Sequence, residues 1–278
     1  MSGGKATVSA SAGPVFQWLG TAGLKITHAG STVLIDPYLT RNALARPFQP
    51  LRPRDFAGAD AIFISHGHFD HLADVPAIVE ASGASVYCSE VAARTLMAKG
   101  VPPSRLNPLA GGDSLDLECC AVRVATCSHI RFDARLVLTT LPRLLGRPRG
   151  LLRQTRGMPS GPVLIWNMTI GGVTLVHLGS LGLTPSAARE AGVSGPDILF
   201  PPLQGHTDIC RLAADLTAAV KPRAVVPLHQ DDFFPPVSQA VDVRPFKLLV
   251  AARVPDCAFY EPTVNLEFGP GDVFGPVA

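Results

Sequence analysis

The sequence predicts an α/β protein of two β-rich halves with helices packed outside, and three observations predict it. Short strand-like apolar runs alternate with helical patterns, a β-hairpin opens each half, and 26 Gly and 26 Pro punctuate the 278 residues throughout. Apolar residues make up 47% of the chain and charged residues 17%, which suits a well-packed core and argues against disorder. A net charge of +2 gives no footprint for nucleic-acid binding, and no nucleic-acid partner is expected.

A flexible Ser/Gly/Ala tail is expected over residues 1–13, and a single domain over 14–278. Residues 15–19, 24–28 and 32–36 read as strands, the last two joined by the turn Ala29-Gly30-Ser31. An Arg- and Pro-rich loop (41–54) precedes Ala61-Ile62-Phe63-Ile64-Ser65, a continuous apolar run of the kind found in strands buried on both faces. A helix is expected over 72–81, with Pro76 in its first turn and Gly83 as its stop. A strand at 85–88, a helix at 91–99 and a strand at 120–127 follow, the last ending at Ser128-His129. The second half opens with a hairpin, 163–170 and 173–177 around Gly171-Gly172. A strand at 198–200, a helix over 209–220 and a strand at 224–228 complete it, with His229 just beyond.

Chemistry concentrates in His66-Gly67-His68-Phe69-Asp70-His71, where three of the eight histidines fall within six positions at the end of the buried strand. Imidazole nitrogens and a carboxylate suit zinc or a similar borderline dication. Residues two apart in an extended segment point the same way, so His66 and His68 can grip one ion. Asp70 and His71, at the start of a helix, can turn toward a second. His129 and His229 each follow a strand, the position where α/β folds place their sites.

These residues, with Leu34-Ile35-Asp36-Pro37, His177-Leu178-Gly179-Ser180-Leu181-Gly182 and Pro227-Leu228-His229, resemble the metallo-β-lactamase superfamily from about residue 15 to 236. Trp18-Leu19-Gly20 is similar to the opening of the branch containing ascorbate-6-phosphate lactonase and N-acyl phosphatidylethanolamine phospholipase D. The resemblance implies a four-layer αββα sandwich of two mixed sheets with outer helices. It implies a first metal on His66, His68 and His129 and a second on Asp70, His71 and His229, with Asp70 also orienting the attacking water. Zinc, as one or two ions, is the expected cofactor, with manganese or iron as alternatives. Such metals lower the pKa of a bound water toward 7 and polarise a carbonyl or phosphoryl oxygen. The implied activity is hydrolysis of a lactone or phosphoester, on a small and possibly anionic substrate.

In one place the chain departs from the family pattern. Ser180 stands where the family carries an aspartate bridging both metals. At an effective dielectric near 20, two dications about 3.5–4 Å apart repel by on the order of 20 kcal/mol before ligand charges are counted. A neutral hydroxyl offsets none of this, so a protein of the same fold that binds metal or ligand with little turnover is the first rival reading.

Weaker candidates remain. His177, at a strand end, reads either as an orienting residue or as a packed strand histidine. His206 is a candidate for substrate or metal contact, and Asp208 for a replacement carboxylate. His28 and Asp36 read as structural, Asp36 holding the turn before Pro37. Residues 131–157 form a basic insertion of seven arginines (Arg131, Arg135, Arg143, Arg147, Arg149, Arg153, Arg156) with one acid, Asp133, among leucines. That pattern fits a clamp for anions or peripheral membrane contact, and so a second rival, a lipid phosphodiesterase acting at membranes.

The six cysteines show no CxxC pair and read as small buried hydrophobes. No apolar run approaches the roughly 18 residues of a membrane span and the N-terminus lacks a signal-peptide pattern, so a cytoplasmic protein is expected. No Gly-rich phosphate loop or GxSxG elbow is present.

Overall fold

A computed structural model describes residues 13–144 and 157–275. Nearly all of the expected tail (1–12) lies outside them, as do Arg147, Arg149, Arg153 and Arg156 of the basic insertion.

Two seven-stranded mixed sheets face each other. The first runs β14(Glu267–Phe268), β1(Val15–Gly20), β2(Gly23–His28), β3(Ser31–Ile35), β4(Ala61–Phe63), β5(Ser85–Cys88), β6(Leu106–Pro108). The second runs β13(Ala258–Phe259), β12(Ala224–Val225), β11(Ile198–Phe200), β10(Val173–His177), β9(Val163–Ile170), β8(Ala121–Cys127), β7(Ser114–Asp116). Each has an antiparallel part made of hairpins and a parallel part reached through crossovers: β3 to β6 in one, β10 to β13 in the other. The expected division into halves is corrected in two places: β8, read as belonging before the second half, lies in the second sheet paired to β9 with β7 on its far side, and β14 returns to pair with β1 in the first sheet, Phe16 opposite Phe268.

Side-chain alternation sets the layers. Val33, Ile35 and Phe63 point into the space between the sheets, where they meet Leu164, Trp166, Ile198 and Phe200 of the second sheet. Leu34, Ile62 and Ile64 point outward, onto α2(Val75–Ser82) and α3(Glu90–Ala98). Leu199 and Val225 likewise point out, onto the helices α5(Pro185–Glu190), α6(Ile209–Val220) and α7(Arg244–Arg253). This accounts for the continuous apolar run at 61–64: both faces of that strand are covered.

The expected helix over 72–81 is two helices, α1(Phe69–Leu72) and α2. Asp74, between them, turns its carboxylate to the backbone N–H groups of Leu39 (2.6 Å) and Thr40 (2.9 Å) and to the Thr40 hydroxyl, and Pro76 then sits in the first turn of α2. The break orients the short helix that carries Asp70 and His71. Within the basic insertion, Ala134–Leu144 forms α4. A last short helix, α8(Pro270–Phe274), closes the described chain. No helix among the described residues is long and apolar enough to cross a membrane.

Candidate metal centre

β4 ends at Phe63 because Ser65 is captured by another partner. Its N–H donates to Asp36 Oδ1 (2.7 Å) and its hydroxyl to Asp36 Oδ2 (2.5 Å). Asp36 is fully buried and adopts a left-handed backbone conformation (φ 45°), unusual for a residue with a Cβ. Its Oδ2 also accepts from His71 Nδ1 (2.9 Å). That bond fixes the imidazole so that Nε2 turns toward Asp70, 3.7 Å from Oδ2. Asp36 is therefore more than the turn-holding residue read from sequence: it orients a candidate ligand.

Four loops converge at one edge of the sandwich. The ligand atoms of His66, His68 and His129 all lie within 4.8 Å of one another, and those of Asp70, His71 and His229 do likewise. The two groups are adjacent, the His66 and His71 ring centres being 3.9 Å apart. His129 Nδ1 donates to the Ile130 carbonyl (2.8 Å), which leaves Nε2 free as a ligand. His66 Nε2 and His68 Nδ1 face each other at 3.1 Å. Two neutral imidazole nitrogens at that separation need a proton or a cation between them. Tetrahedral zinc with bonds of about 2.0–2.1 Å would place its ligand atoms roughly 3.3 Å apart, so the first group fits such an ion.

Electrostatics favour the same use. Burial pushes His66 well below the usual imidazole range and His68 down to about 4, and burial lowers His129 as well, so these rings stay neutral and able to ligate at pH 7. For His71 burial acts downward, but Asp36 and then Asp70 outweigh it and hold its pKa above the ordinary value. Burial acts upward on Asp70, yet His71 and His229 keep its carboxyl below the usual carboxylate range. Asp70 Oδ2 lies 3.3 Å from His229 Nε2. With Nδ1 committed to Asp36, Nε2 of His71 is the ring nitrogen left to face a dication in this second group.

His229 sits in a left-handed conformation (φ 62°) and its N–H donates to the Thr21 carbonyl (2.8 Å). The Thr21 N–H donates to Asp231, whose carboxylate forms a buried ion pair with Arg41 (2.5 Å). Across the site, Gly179 (φ 65°) and Gly182 leave room for close packing: a Cβ on Gly179 would overlap the Ser65 hydroxyl, and one on Gly182 the Ser128 carbonyl. The absence of these two side chains lets the loops bearing His66 and His129 lie against the strand-end segment that carries Ser180.

A cavity of about 410 Å³ opens over both groups. His68, Asp70, His71, His129, His229 and Ser180 line its floor, and Phe69, Phe132, Phe233 and Phe234 are among its walls. Ser180 is thus at the site, and its hydroxyl accepts from the Ile130 N–H (3.1 Å), bracing the residue after His129. The weaker candidates lie elsewhere. His177 is buried and bonds through Nε2 to the Ala22 carbonyl (2.8 Å), linking the two sheets rather than orienting a ligand. Asp208 is exposed at the start of α6 and pairs with Arg211 (3.5 Å), so it supplies no bridging carboxylate. His206 accepts from the Asp208 N–H (2.9 Å) and does not line the cavity. Of the basic insertion's described residues, Phe132 reaches the cavity, whereas Arg131, Arg135 and Arg143 do not line it.

Sequence reading missed the roles of Asp36, Ser65, Arg41 and Asp231; the only available signal was Asp36-Pro37 after a buried strand. The role of Asp36 is open to test. Asp36→Asn puts an amide donor against the His71 or Ser65 donors, and metal affinity should fall about 10–100-fold. Competition with a chromogenic chelator measures this; unchanged affinity would mean that His71 is held by its other contacts.

Comparison with known proteins agrees with this geometry. Residues 15–229 match the family described as the beta-lactamase superfamily domain. A UPF0173 metal-dependent hydrolase of Carboxydothermus hydrogenoformans is 30% identical over 232 residues, covering 83% of this chain and 89% of the relative. Another from Anaeromyxobacter dehalogenans is 30% identical over 226 residues, covering 78% and 74%. Among solved structures, the metallo hydrolase Igni18 of Ignicoccus hospitalis superposes with a TM-score of 0.62 at 18% identity, over 92% of this chain and 99% of that one, and so shares the fold. The chain belongs to the metallo-β-lactamase superfamily and, within it, to the UPF0173 family of metal-dependent hydrolases.

Proposed function

We propose that this metal-dependent hydrolase cleaves a lactone or phosphoester at the cavity over the two histidine groups. The observation that carries this reading is the pairing of His66, His68 and His129 beside Asp70, His71 and His229, all but the fully buried His66 lining one cavity. Five imidazoles and a single carboxylate form a donor set suited to zinc, with iron or manganese as alternatives. A dication held there lowers the pKa of coordinated water and polarises the oxygen of the scissile group. Asp70, kept ionised by its histidine neighbours, accepts a hydrogen bond from the attacking water and fixes its direction. Phe69, Phe233 and Phe234 exclude bulk water from the floor. The branch similarity of Trp18-Leu19-Gly20 supports the choice of lactones and phosphoesters.

One observation favours a rival. Ser180 supplies only a neutral hydroxyl, already engaged by Ile130, and that arrangement fits a site that binds metal and ligand with little turnover. Zinc-loaded protein assayed on a panel of lactones and phosphodiesters decides between the two. Turnover lost on chelation and regained on zinc addition is the expected result. No turnover of any member, with metal occupancy measured at one ion or more per chain, would overturn hydrolysis in favour of binding.

A further inference from the structure

The cavity over the histidines continues sideways into a second one. This annex of about 260 Å³ is lined by Phe132, Leu136, Val137, Thr140 and Leu141 on one side and by Gln204, Gly205, Phe233, Val237 and Ser238 on the other. Phe132, Gln204, Gly205, Phe233 and Val237 line both cavities, so one wall runs unbroken from Asp70 to Leu141. The helix α4 thus has a place in the site that its arginines did not suggest: it offers the annex its apolar side chains.

Chemically the annex is nearly mute. Among the described residues no charged one lines it, and its two hydroxyls and the Gln204 amide nitrogen already have partners within the protein. The Ser238 hydroxyl donates to Asp232 (2.5 Å) and accepts from the Phe234 N–H (2.6 Å). The Thr140 hydroxyl donates to the Leu136 carbonyl (2.8 Å), and Gln204 Nε2 to the Gln239 carbonyl (3.1 Å). A polar or charged ligand group entering here would give up its water and find little to replace it, the Gln204 carbonyl oxygen being the one side-chain acceptor without a partner among the described lining residues. A hydrocarbon group loses nothing and gains the burial.

The annex is also held in shape. Asp133, just before α4, accepts from the Thr207 N–H and hydroxyl (both 2.9 Å), tying the helix start to the loop of the opposite wall. Gly205 (φ 94°) packs so closely under Ile130 and Phe132 that a Cβ there would lie 2.8 Å from Ile130. A preformed apolar space continuous with a reactive centre is the usual form of a substrate pocket.

We propose that the annex receives an uncharged alkyl chain of the substrate, so that the natural substrate carries its scissile group at one end and a hydrocarbon tail at the other. This deepens the hydrolase reading and rests on it for the placement of the reacting end. Roughly nine water-sized volumes fit in 260 Å³, which is room for a tail of several carbons.

Calorimetry on the zinc-loaded protein with ethyl-, butyl-, hexyl- and octylphosphonate tests it, the phosphonate serving as a non-reacting anion for the metal centre. Affinity should rise about three- to four-fold per added methylene from ethyl through hexyl. Thr140→Trp, which fills the annex, should flatten that rise, and Leu141→Ser, at an exposed and tolerant position, should reduce it. Equal affinity along the series overturns the annex and leaves the hydrolase reading intact. A rise of the same size in Thr140→Trp also overturns it, because the tail then lies elsewhere. Failure of every phosphonate to bind overturns it as well. Ethylphosphonate that fails to bind while the longer homologues still gain affinity supports the annex and counts against the metal-centred reading. A protein that sediments as a dimer in the native form and as a monomer in Leu138→Asp, with no chain-length effect, would show that a second copy covers the groove instead.

Discussion

Arg41→Ala should destabilise the fold by about 3–5 kcal/mol, the cost of leaving one member of a buried ion pair without its partner. The side chains of Arg41 and Asp231 are 3% and 0% exposed, and their contact is among the most buried ion pairs of the protein. With the guanidinium removed, the Asp231 carboxylate has the Thr21 N–H as its one remaining partner among the described residues. The same change removes the Arg41 hydrogen bond to the Leu19 carbonyl (3.1 Å). Because His229 is pinned to Thr21 through its own N–H, the disturbance reaches the second metal group directly. Urea denaturation measures the stability loss. The double variant Arg41→Met with Asp231→Leu, which removes both charges, should recover most of it. A single variant within about 1 kcal/mol of the native protein would show that water reaches the Asp231 carboxylate and that the pair carries little.

One ion should bind tightly and a second much more weakly, with Ser180→Asp strengthening the second. The two candidate groups contain one carboxylate, Asp70, against five neutral or neutralisable imidazoles. Two dications in adjacent groups would bring four positive charges to a site with one ligating negative charge, and Asp36 adds its charge only from behind His71. The group of His66, His68 and His129 should fill first, since its rings stay neutral and no proton has to leave. In the other group Asp36 and Asp70 hold the His71 pKa above its ordinary value, so protons compete with a metal there more than in the first group. Zinc titration followed by calorimetry should show one strong event in the native protein and two in Ser180→Asp. Two equally tight events in the native protein would mean that Asp70 alone suffices to offset the repulsion.

The candidate metal ligands were legible because they lie close in sequence or follow recognisable strands: His66 to His71 is a local cluster, and His129 and His229 each come just after a strand. The helix at 209–220 was legible for a similar reason, its apolar residues at Ile209, Ala213, Leu216 and Val220 keeping helical spacing over the whole length. Long-range support was not. Nothing near Asp36 in the chain announces a bond to His71, and nothing near Arg41 announces Asp231, because such pairs exist only once distant loops meet. The edge strands Leu106–Pro108, Ser114–Asp116 and Ala258–Phe259 were missed because two or three residues are too few to show a period. The helix at 244–253 was missed because only Phe246 and Val250 anchor it. Arginine-rich composition at 131–157 drew attention to charge, whereas the described part of that segment meets the cavities through Phe132, Leu136, Val137, Thr140 and Leu141.

The candidate ligands lie on segments separated by more than half of the chain, from His66 to His229. No short fragment can assemble both groups, so an ion finds its full set of donors only in the completed fold and binds that state more tightly than the unfolded chain. Binding that discriminates in this way adds its free energy to that of folding. The lifetime of the molecule inside a cell is thereby coupled to the metal available to it. A chain made during metal scarcity should therefore spend a larger fraction of its time unfolded and exposed to proteases than one made with metal at hand.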